Sequence, residues 1–227
     1  MTRLLVAGLA LLCASAAAPA LAATGACPGA YAWKAAHPQE SDEAMAQRDA
    51  ARGFTHPALR AELAERVARD QKARIAYLAD RSDRAAARAV NQIDDDNLRW
   101  LHALVRAQDF PTVSQVGEQG VQHAWVLAQH ADIAPKFQAA LLPVMEQRAL
   151  QGELPLGDYA RFADRVLKAQ GKPQRYGTQF SPEEWARPHF GLADEASVQA
   201  VETSRRELGV MPLADYVCMM SEARKRG

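Results

Sequence analysis

The sequence predicts an all-α fold, a single compact domain of about seven or eight helices with one irregular polar loop near residues 171–180. The chain is rich in Ala, Leu, Arg, Glu and Gln, which favour helices, and its apolar residues recur at helical spacing. No segment keeps the alternating pattern of a strand for more than a few residues. The length suits one domain with a sizeable core.

Caps and apolar stripes place the first helices. The first long helix is expected after Thr55, with Pro57 in its first turn. Its apolar stripe consists of Leu59, Leu63, Val67, Ile75 and Leu78. The next helix is expected from about residue 94 to 107, with acidic residues at its start that favour the helix dipole. Two further helices are expected to begin near Ser114 and Pro135.

The second half of the chain continues the helical pattern after one interruption. A helix through Tyr159 and Leu167 is expected to end at Gly171, and a short one to begin at Ser181. Two more helices follow, one on each side of Gly209. The intervening segment reads Gly-Lys-Pro-Gln-Arg-Tyr-Gly-Thr-Gln-Phe over residues 171–180 and lacks helical periodicity. Because rigid scaffolds often present binding groups on loops, this polar loop is a candidate site.

The first 22 residues have the pattern of a secretory signal peptide. Arg3 precedes an apolar run from Leu4 to Leu12, and Ala20-Leu21-Ala22 supplies the small residues that signal peptidase recognises. The apolar run is shorter than the ~20 residues that span a bilayer, which disfavours a membrane anchor. We therefore expect export to the periplasm, an N-terminal segment at residues 23–54 with a short helix, a helical domain at residues 55–227, and no membrane span in the mature chain.

Cysteine usage agrees with export to an oxidising compartment. Cys13 would leave with the signal peptide, so the mature chain keeps Cys27 and Cys218. Two cysteines in such a compartment commonly form a disulfide. The alternative is a buried free Cys218 and an unpaired Cys27 in the N-terminal segment. The sequence favours the disulfide.

Charge and missing motifs exclude several function classes. Lys and Arg total 27 and Asp and Glu total 27, so the chain lacks the basic excess of a nucleic-acid-binding protein. Signatures of serine hydrolases, zinc proteases, P-loop proteins and Rossmann folds are missing from the sequence. His123 and His130 are seven residues apart, about 10 Å along a helix, and do not easily share one ion. We expect neither a metal nor a cofactor.

Polar residues between positions 123 and 179 form the candidate site. His130 is a candidate general base with Asp132 as its orienting carboxylate, and Arg165 is a candidate clamp for a carboxylate or phosphate. Gln174 and Gln179 are candidates to hold a polar substrate, because an amide both donates and accepts hydrogen bonds. The complete candidate set is His123, Trp125, His130, Asp132, Gln138, Asp164, Arg165, Gln174, Tyr176, Thr178 and Gln179. Purely structural roles remain open: His130 and Asp132 as helix caps, Asp164-Arg165 as an ion-paired segment, and the loop glutamines as partners of backbone groups.

Several of these elements together resemble a bacterial family of unknown function. The resemblance rests on His130-Ala-Asp132, Asp164-Arg165 and the Gln-Arg-Tyr-Gly-Thr-Gln run at residues 174–179, in this order, and extends from about Leu59 to Tyr216. It supports the location of the site and implies no particular chemistry.

The sequence is compatible with three functions. The first is an exported binding protein that engages another envelope or secreted protein, as an immunity protein neutralises a toxin. The second is a hydrolase-like enzyme with His130 and Asp132 at its centre and Gln174, Tyr176, Thr178 and Gln179 as its substrate loop. The third is a small-ligand sensor or carrier that uses the same residues without chemistry.

Overall fold

The structure, a computed structural model, describes residues 26–226, without the side chains of Pro182 and residues 224–226. The predicted signal peptide at residues 1–22 lies outside the described residues. Within them, no helix is both long enough and apolar enough to cross a membrane.

Residues 26–226 contain helices and no strand, which confirms the all-α fold. The α-helices are α1 (Pro28–Ala36), α2 (Asp42–Ala50), α3 (Pro57–Ala79), α4 (Arg84–Gln108), α5 (Val113–Gln129), α6 (Pro135–Leu150), α7 (Leu156–Ala169), α8 (Pro182–Trp185), α9 (Glu195–Leu208) and α10 (Leu213–Arg226). Two short 3-10 helices lie at Pro38–Glu40 and Pro188–Gly191. The described residues hold more helices than expected, because residues 28–50 form two of them.

The main core forms where α5 packs between α3, α4 and α7. Leu63 of α3, Leu101 of α4, Val121 of α5 and Phe162 of α7 are fully buried in it. Each such side chain contributes roughly 1.5–3 kcal/mol by leaving water. The connection between α3 and α4 is short, so the two helices form an antiparallel hairpin along one side of this core.

The apolar stripe of α3 extends beyond the core. Leu63 is fully buried, but Ile75 is 67% exposed and Leu78 is 55% exposed. The sequence predicted that all five stripe residues lie on one apolar face, and the structure shows that the distal part of this face is uncovered. The far end of the α3–α4 hairpin therefore presents apolar side chains to solvent.

A backbone break in α5 ties helix α2 to the core. Gly117 has φ = 77°, a conformation that side chains other than glycine's rarely adopt. The Asp49 carboxylate of α2 accepts hydrogen bonds from the backbone N–H groups of Glu118 (2.8 Å) and Gln119 (3.0 Å). It also accepts one from Arg60 at 2.8 Å. Asp49 thus caps the second part of α5 as an N-cap residue would.

A second apolar cluster joins the two ends of the described chain. Trp185, Leu213 and Tyr216 are buried in it together with residues of α1. Cys27, just before α1, forms a disulfide with Cys218 of α10, as predicted, with 5.7 Å between the Cα atoms. The segment just before α1 is therefore covalently fixed to α10.

Candidate functional site

The polar loop is held by one buried carboxylate. Asp164 of α7 is fully buried and accepts hydrogen bonds from the backbone N–H groups of Arg175 (2.7 Å), Tyr176 (3.0 Å) and Thr178 (2.8 Å). The Thr178 hydroxyl donates a fourth hydrogen bond at 2.9 Å. Burial raises the pKa of the Asp164 carboxyl, and these hydrogen bonds only partly oppose that effect. Asp164 therefore organises a segment that lacks regular secondary structure.

A buried arginine anchors the loop from its other side. Arg205 of α9 is 2% exposed, and it donates hydrogen bonds to the carbonyl oxygens of Tyr176 (2.5 Å) and Met211 (2.6 Å). Its guanidinium also lies over the Tyr216 ring, 4.8 Å from the centroid. Burial is the main reason that the pKa of Arg205 is lowered. The loop is thus fixed between an anion on α7 and a cation on α9.

The two loop glutamines bind each other. The backbone N–H of Gln179 donates to the side-chain oxygen of Gln174 at 2.6 Å, and the Gln174 amide donates to the Gln179 carbonyl at 3.1 Å. The Gln179 amide donates to the Arg161 carbonyl at 3.2 Å. Both side chains therefore satisfy backbone groups, which is the structural role left open by the sequence.

Asp132 and Gln138 lie at the turn between α5 and α6. The Asp132 carboxylate pairs with Arg165 at 2.6 Å, and 61% of the Asp132 side chain is exposed. Such an exposed pair contributes about 0–1 kcal/mol. Gln138 is buried, and its amide donates to the Ala128 carbonyl at 3.0 Å, near the end of α5. These contacts connect the turn to α7 and terminate α5.

His123 and Trp125 project from α5 into different surroundings. Trp125 is buried and donates from its indole N–H to the Asp158 carbonyl at 3.0 Å. The Nδ1 atom of His123 is buried and has no hydrogen-bond partner among the described residues. Burial, assisted by the charge of Arg60, lowers the pKa of His123, so its ring is neutral near pH 7.

His130 belongs to a cluster with α3 and α4. His130 is the C-terminal cap of α5, and its Nδ1 lies 3.0 Å from Oδ1 of Asp70. Arg74 places its Nε 3.1 Å from both of these atoms. The Arg74 guanidinium also donates to Asp94 at 2.5 Å. Asp70 is only 1% exposed, so the His130–Asp70 contact is shielded from water.

This arrangement differs from the expected pairing of His130 with Asp132. The Asp132 carboxylate points to Arg165 on α7, whereas the His130 ring points to α3. The two residues are close in sequence, at the turn after α5, but their side chains contact different helices. The carboxylate that orients His130 in the structure is Asp70.

Sequence reasoning missed Asp70, Arg74 and Asp94 as members of this cluster. Asp70 and Arg74 have the spacing of an ordinary surface ion pair on a helix, and Asp94 belongs to an acidic run at residues 94–96. Only the packing of α3 and α4 against the end of α5 brings them to His130. The one sequence signal was that Asp70 lies three residues after Val67, on the face of α3 that carries the apolar stripe.

The electrostatics of the cluster are set by its arginine and histidine. Burial alone would raise the pKa of Asp70, but the hydrogen bond to His130 and the charges of His130 and Arg74 outweigh it, so the pKa is lowered. Burial raises the pKa of Asp94 despite Arg74. Ligand atoms of Asp70, Asp94 and His130 lie within 4.8 Å of one another. The Arg74 cation among them disfavours a metal ion at this position.

Two concave surfaces lie beside these residues. The first, the loop cleft, has a volume of about 520 Å³ between residues 171–180 and α9. The second, the α4–α6 groove, has a volume of about 780 Å³ between α4 and the start of α6. Its residues include Leu98, Arg99, His102, Ile133, Lys136 and Phe137.

Comparison with known proteins identifies a family. The family of unknown function DUF6624 matches residues 56–225 of the chain, and this range contains the polar loop, the His130 cluster and both concave surfaces. No curated protein and no solved structure matches the chain.

Proposed function

The chain belongs to this family of unknown function, and we propose that it is a binding protein that engages another protein through the α4–α6 groove and the adjoining end of the α3–α4 hairpin. The observation that carries the proposal is the exposure of large apolar side chains there. Ile133, which lines the groove, is 67% exposed, as is Ile75 of α3. Large apolar side chains that are exposed to solvent mark candidate protein interaction sites when they belong to one surface, and the proposal places Ile75 and Ile133 on one such surface.

The exposed residues are connected through the His130 cluster. Ile75 follows Arg74, whose side chain contacts His130, and Ile133 lies three residues after His130. The cluster therefore fixes the hairpin end relative to the groove. A rigid surface loses little conformational entropy when it binds, which favours affinity.

The groove's charge indicates the chemistry of the partner. Its lining contains the basic residues Arg99, His102 and Lys136, and none of its lining residues is acidic. The apolar part is provided by residues such as Leu98 and Phe137. An acidic protein segment that carries apolar side chains complements this surface in both respects.

Two features that are typical of exported proteins support an envelope or secreted partner. The signal-like pattern at residues 1–22 and the Cys27–Cys218 disulfide are both typical of an exported protein. A small exported helical protein that neutralises a toxin fits this description. We therefore propose the periplasm as its location and an immunity or inhibitor role as its function.

The test uses the chain as bait for proteins of its own envelope and culture fluid. We expect native mass spectrometry to find a stoichiometric partner, and the double variant Ile75→Glu/Ile133→Glu to bind it at least 100-fold more weakly, as loss of central interface residues does. Leu150→Glu is the matched control, because Leu150 is 73% exposed at the other end of α6. The proposal fails if wild-type protein captures no partner, or if the control loses binding equally.

The geometry of His130 favours a second candidate function, a hydrolase-like enzyme. Its Nδ1 is engaged with the buried Asp70 at 3.0 Å and with Nε of Arg74 at 3.1 Å, which leaves Nε2 as the ring atom available to a substrate or water. A buried carboxylate that fixes the imidazole in this way is the arrangement used for general base catalysis. In this candidate Asp70 takes the orienting role that the sequence assigned to Asp132.

Substitutions distinguish the two carboxylates. If the chain hydrolyses esters, amides or phosphoesters in a substrate screen, we expect Asp70→Asn and His130→Ala to lower kcat by at least 100-fold, since a positioned general base contributes roughly 10²–10⁴-fold. Asp132→Asn should retain activity, because Asp132 contacts Arg165 instead. Circular dichroism would verify that each variant is folded. Absence of turnover by wild-type protein, or an equal loss in Asp132→Asn, rejects this candidate.

A further inference from the structure

The loop cleft is partly lined by apolar side chains. They include Phe180, Leu192 and Val201 of α9. Its volume of about 520 Å³ is within the range of sites that bind small molecules, roughly 300–1,000 Å³. The cleft is separate from the α4–α6 groove, since the two share no lining residue.

The lining of the cleft carries an excess of positive charge. Lys168, Lys172 and Arg175 line it, and Glu184 is the acidic residue of its lining. This excess of positive charge is local, because the whole chain has a formal net charge of zero. A cleft with charges of one sign beside apolar walls concentrates ligands of the opposite sign.

Two of these cations are available to a ligand. The Lys168 ammonium already donates to the Gln179 carbonyl at 2.7 Å. The Arg175 guanidinium lies over the Tyr176 ring, 5.3 Å from the centroid, a contact that leaves its N–H groups free. The backbone N–H of Lys172 donates to the Leu167 carbonyl at 2.9 Å, but its side chain is exposed and its ammonium makes no hydrogen bond or ion pair within residues 26–226.

The backbone of the loop that carries Arg175 is held in place by hydrogen bonds within the protein. Asp164 accepts the backbone N–H of Arg175 at 2.7 Å, and Gln174 and Gln179 close the loop through their reciprocal hydrogen bonds. The Arg175 side chain therefore starts from a defined backbone position. Such preorganisation lowers the entropic cost of binding.

We propose that the loop cleft binds a small organic anion with an apolar body, such as an aliphatic or aromatic carboxylate. The anionic group lies between Lys172 and Arg175, and the apolar body lies along Phe180 and Val201. This ligand site is distinct from the protein-binding surface proposed above and does not depend on it.

The experiment measures the fluorescence of 8-anilinonaphthalene-1-sulfonate, an aromatic anion, on the full folded chain. We expect saturable binding that decanoate displaces and the uncharged 1-decanol does not. The variant Lys172→Gln/Arg175→Gln should raise the Kd at least tenfold, and Lys172→Gln alone should raise it by a smaller factor. The single variant keeps the test informative if the Arg175 substitution disturbs the loop.

The matched control removes two positive charges from the α4–α6 groove. Arg99→Gln/Lys136→Gln should leave the Kd within twofold of the wild-type value, because these residues line the α4–α6 groove. Equal weakening in both double variants overturns the proposal, as does displacement by 1-decanol as effective as that by decanoate. Displacement by an acidic Glu/Leu hexapeptide but not by decanoate also overturns it and indicates a protein ligand.

Discussion

Replacing Asp164 by alanine is expected to lower the free energy of unfolding by about 3–5 kcal/mol, in the upper range of single substitutions. The variant removes the acceptor of three backbone N–H groups and of the Thr178 hydroxyl, and the hydrogen bonds from Tyr176 and Thr178 are buried. Each buried donor left without a partner costs about 1–3 kcal/mol. Entry of water and rearrangement of the loop keep the total below the simple sum.

The raised pKa of Asp164 limits this loss in a predictable way. Burial makes the charged carboxylate less favourable in the folded protein than in water, so its removal recovers part of that cost. Asp164→Asn is informative for this reason, since it removes the charge but keeps one acceptor oxygen. We expect Asn to be less destabilising than Ala.

Urea unfolding followed by circular dichroism measures both Asp164 variants. Asp95→Ala is the matched control, because Asp95 is an exposed aspartate within a helix, and its free energy of unfolding should change by less than about 0.5 kcal/mol. If the urea midpoint of Asp164→Ala equals that of the wild type, the polar loop does not depend on the Asp164 carboxylate.

Loss of the Cys27–Cys218 disulfide is expected to destabilise the protein by up to roughly 5 kcal/mol. The bond closes a loop with a sequence separation of 191 residues, and in the chain-entropy model so long a loop restricts the unfolded chain strongly. In the folded state it holds α1 against α10, where Trp185, Leu213 and Tyr216 form the second apolar cluster. Reduction also makes separation of α1 from that cluster easier.

Chemical unfolding of oxidised and reduced wild-type protein tests this expectation. The variant Cys27→Ser/Cys218→Ser should match the reduced wild type and should not respond to a reducing agent, which makes it the internal control. Equal midpoints for the oxidised and reduced protein would contradict the expected contribution. Two free thiols in natively purified protein would show that the bond does not form.

Local patterns were enough to predict most of the helices and the disulfide, but not the early start of α4 at Arg84 or the two separate helices within residues 28–50. Helical periodicity and caps depend on neighbouring residues, and the two cysteines outside the predicted signal peptide leave one intramolecular pairing. The apolar pattern of a helix does not show how far along its length other helices pack against it. The stripe from Leu59 to Leu78 is therefore continuous in sequence, although its distal residues Ile75 and Leu78 are exposed.

The sequence singled out candidate site residues, but it did not predict their contacts. Asp164 and the polar loop were both singled out, yet their association depends on how the chain folds back after α7. His130 was singled out as well, but Asp70 precedes it by 60 residues and looked like half of a surface ion pair. Contacts between residues so far apart leave no spacing signal in a single sequence.

The break in α5 has a consequence for the boundaries of the folded unit. The family matches residues 56–225, whereas Asp49, which caps the second part of α5 and binds Arg60, lies before that range. At Gly117 an added Cβ would lie 2.6 Å from the Asp49 carboxylate, so α2 occupies space that the glycine leaves open. Helix α2 is therefore an integral part of the architecture, and a fragment for expression that begins at residue 56 lacks the carboxylate that caps the second part of α5.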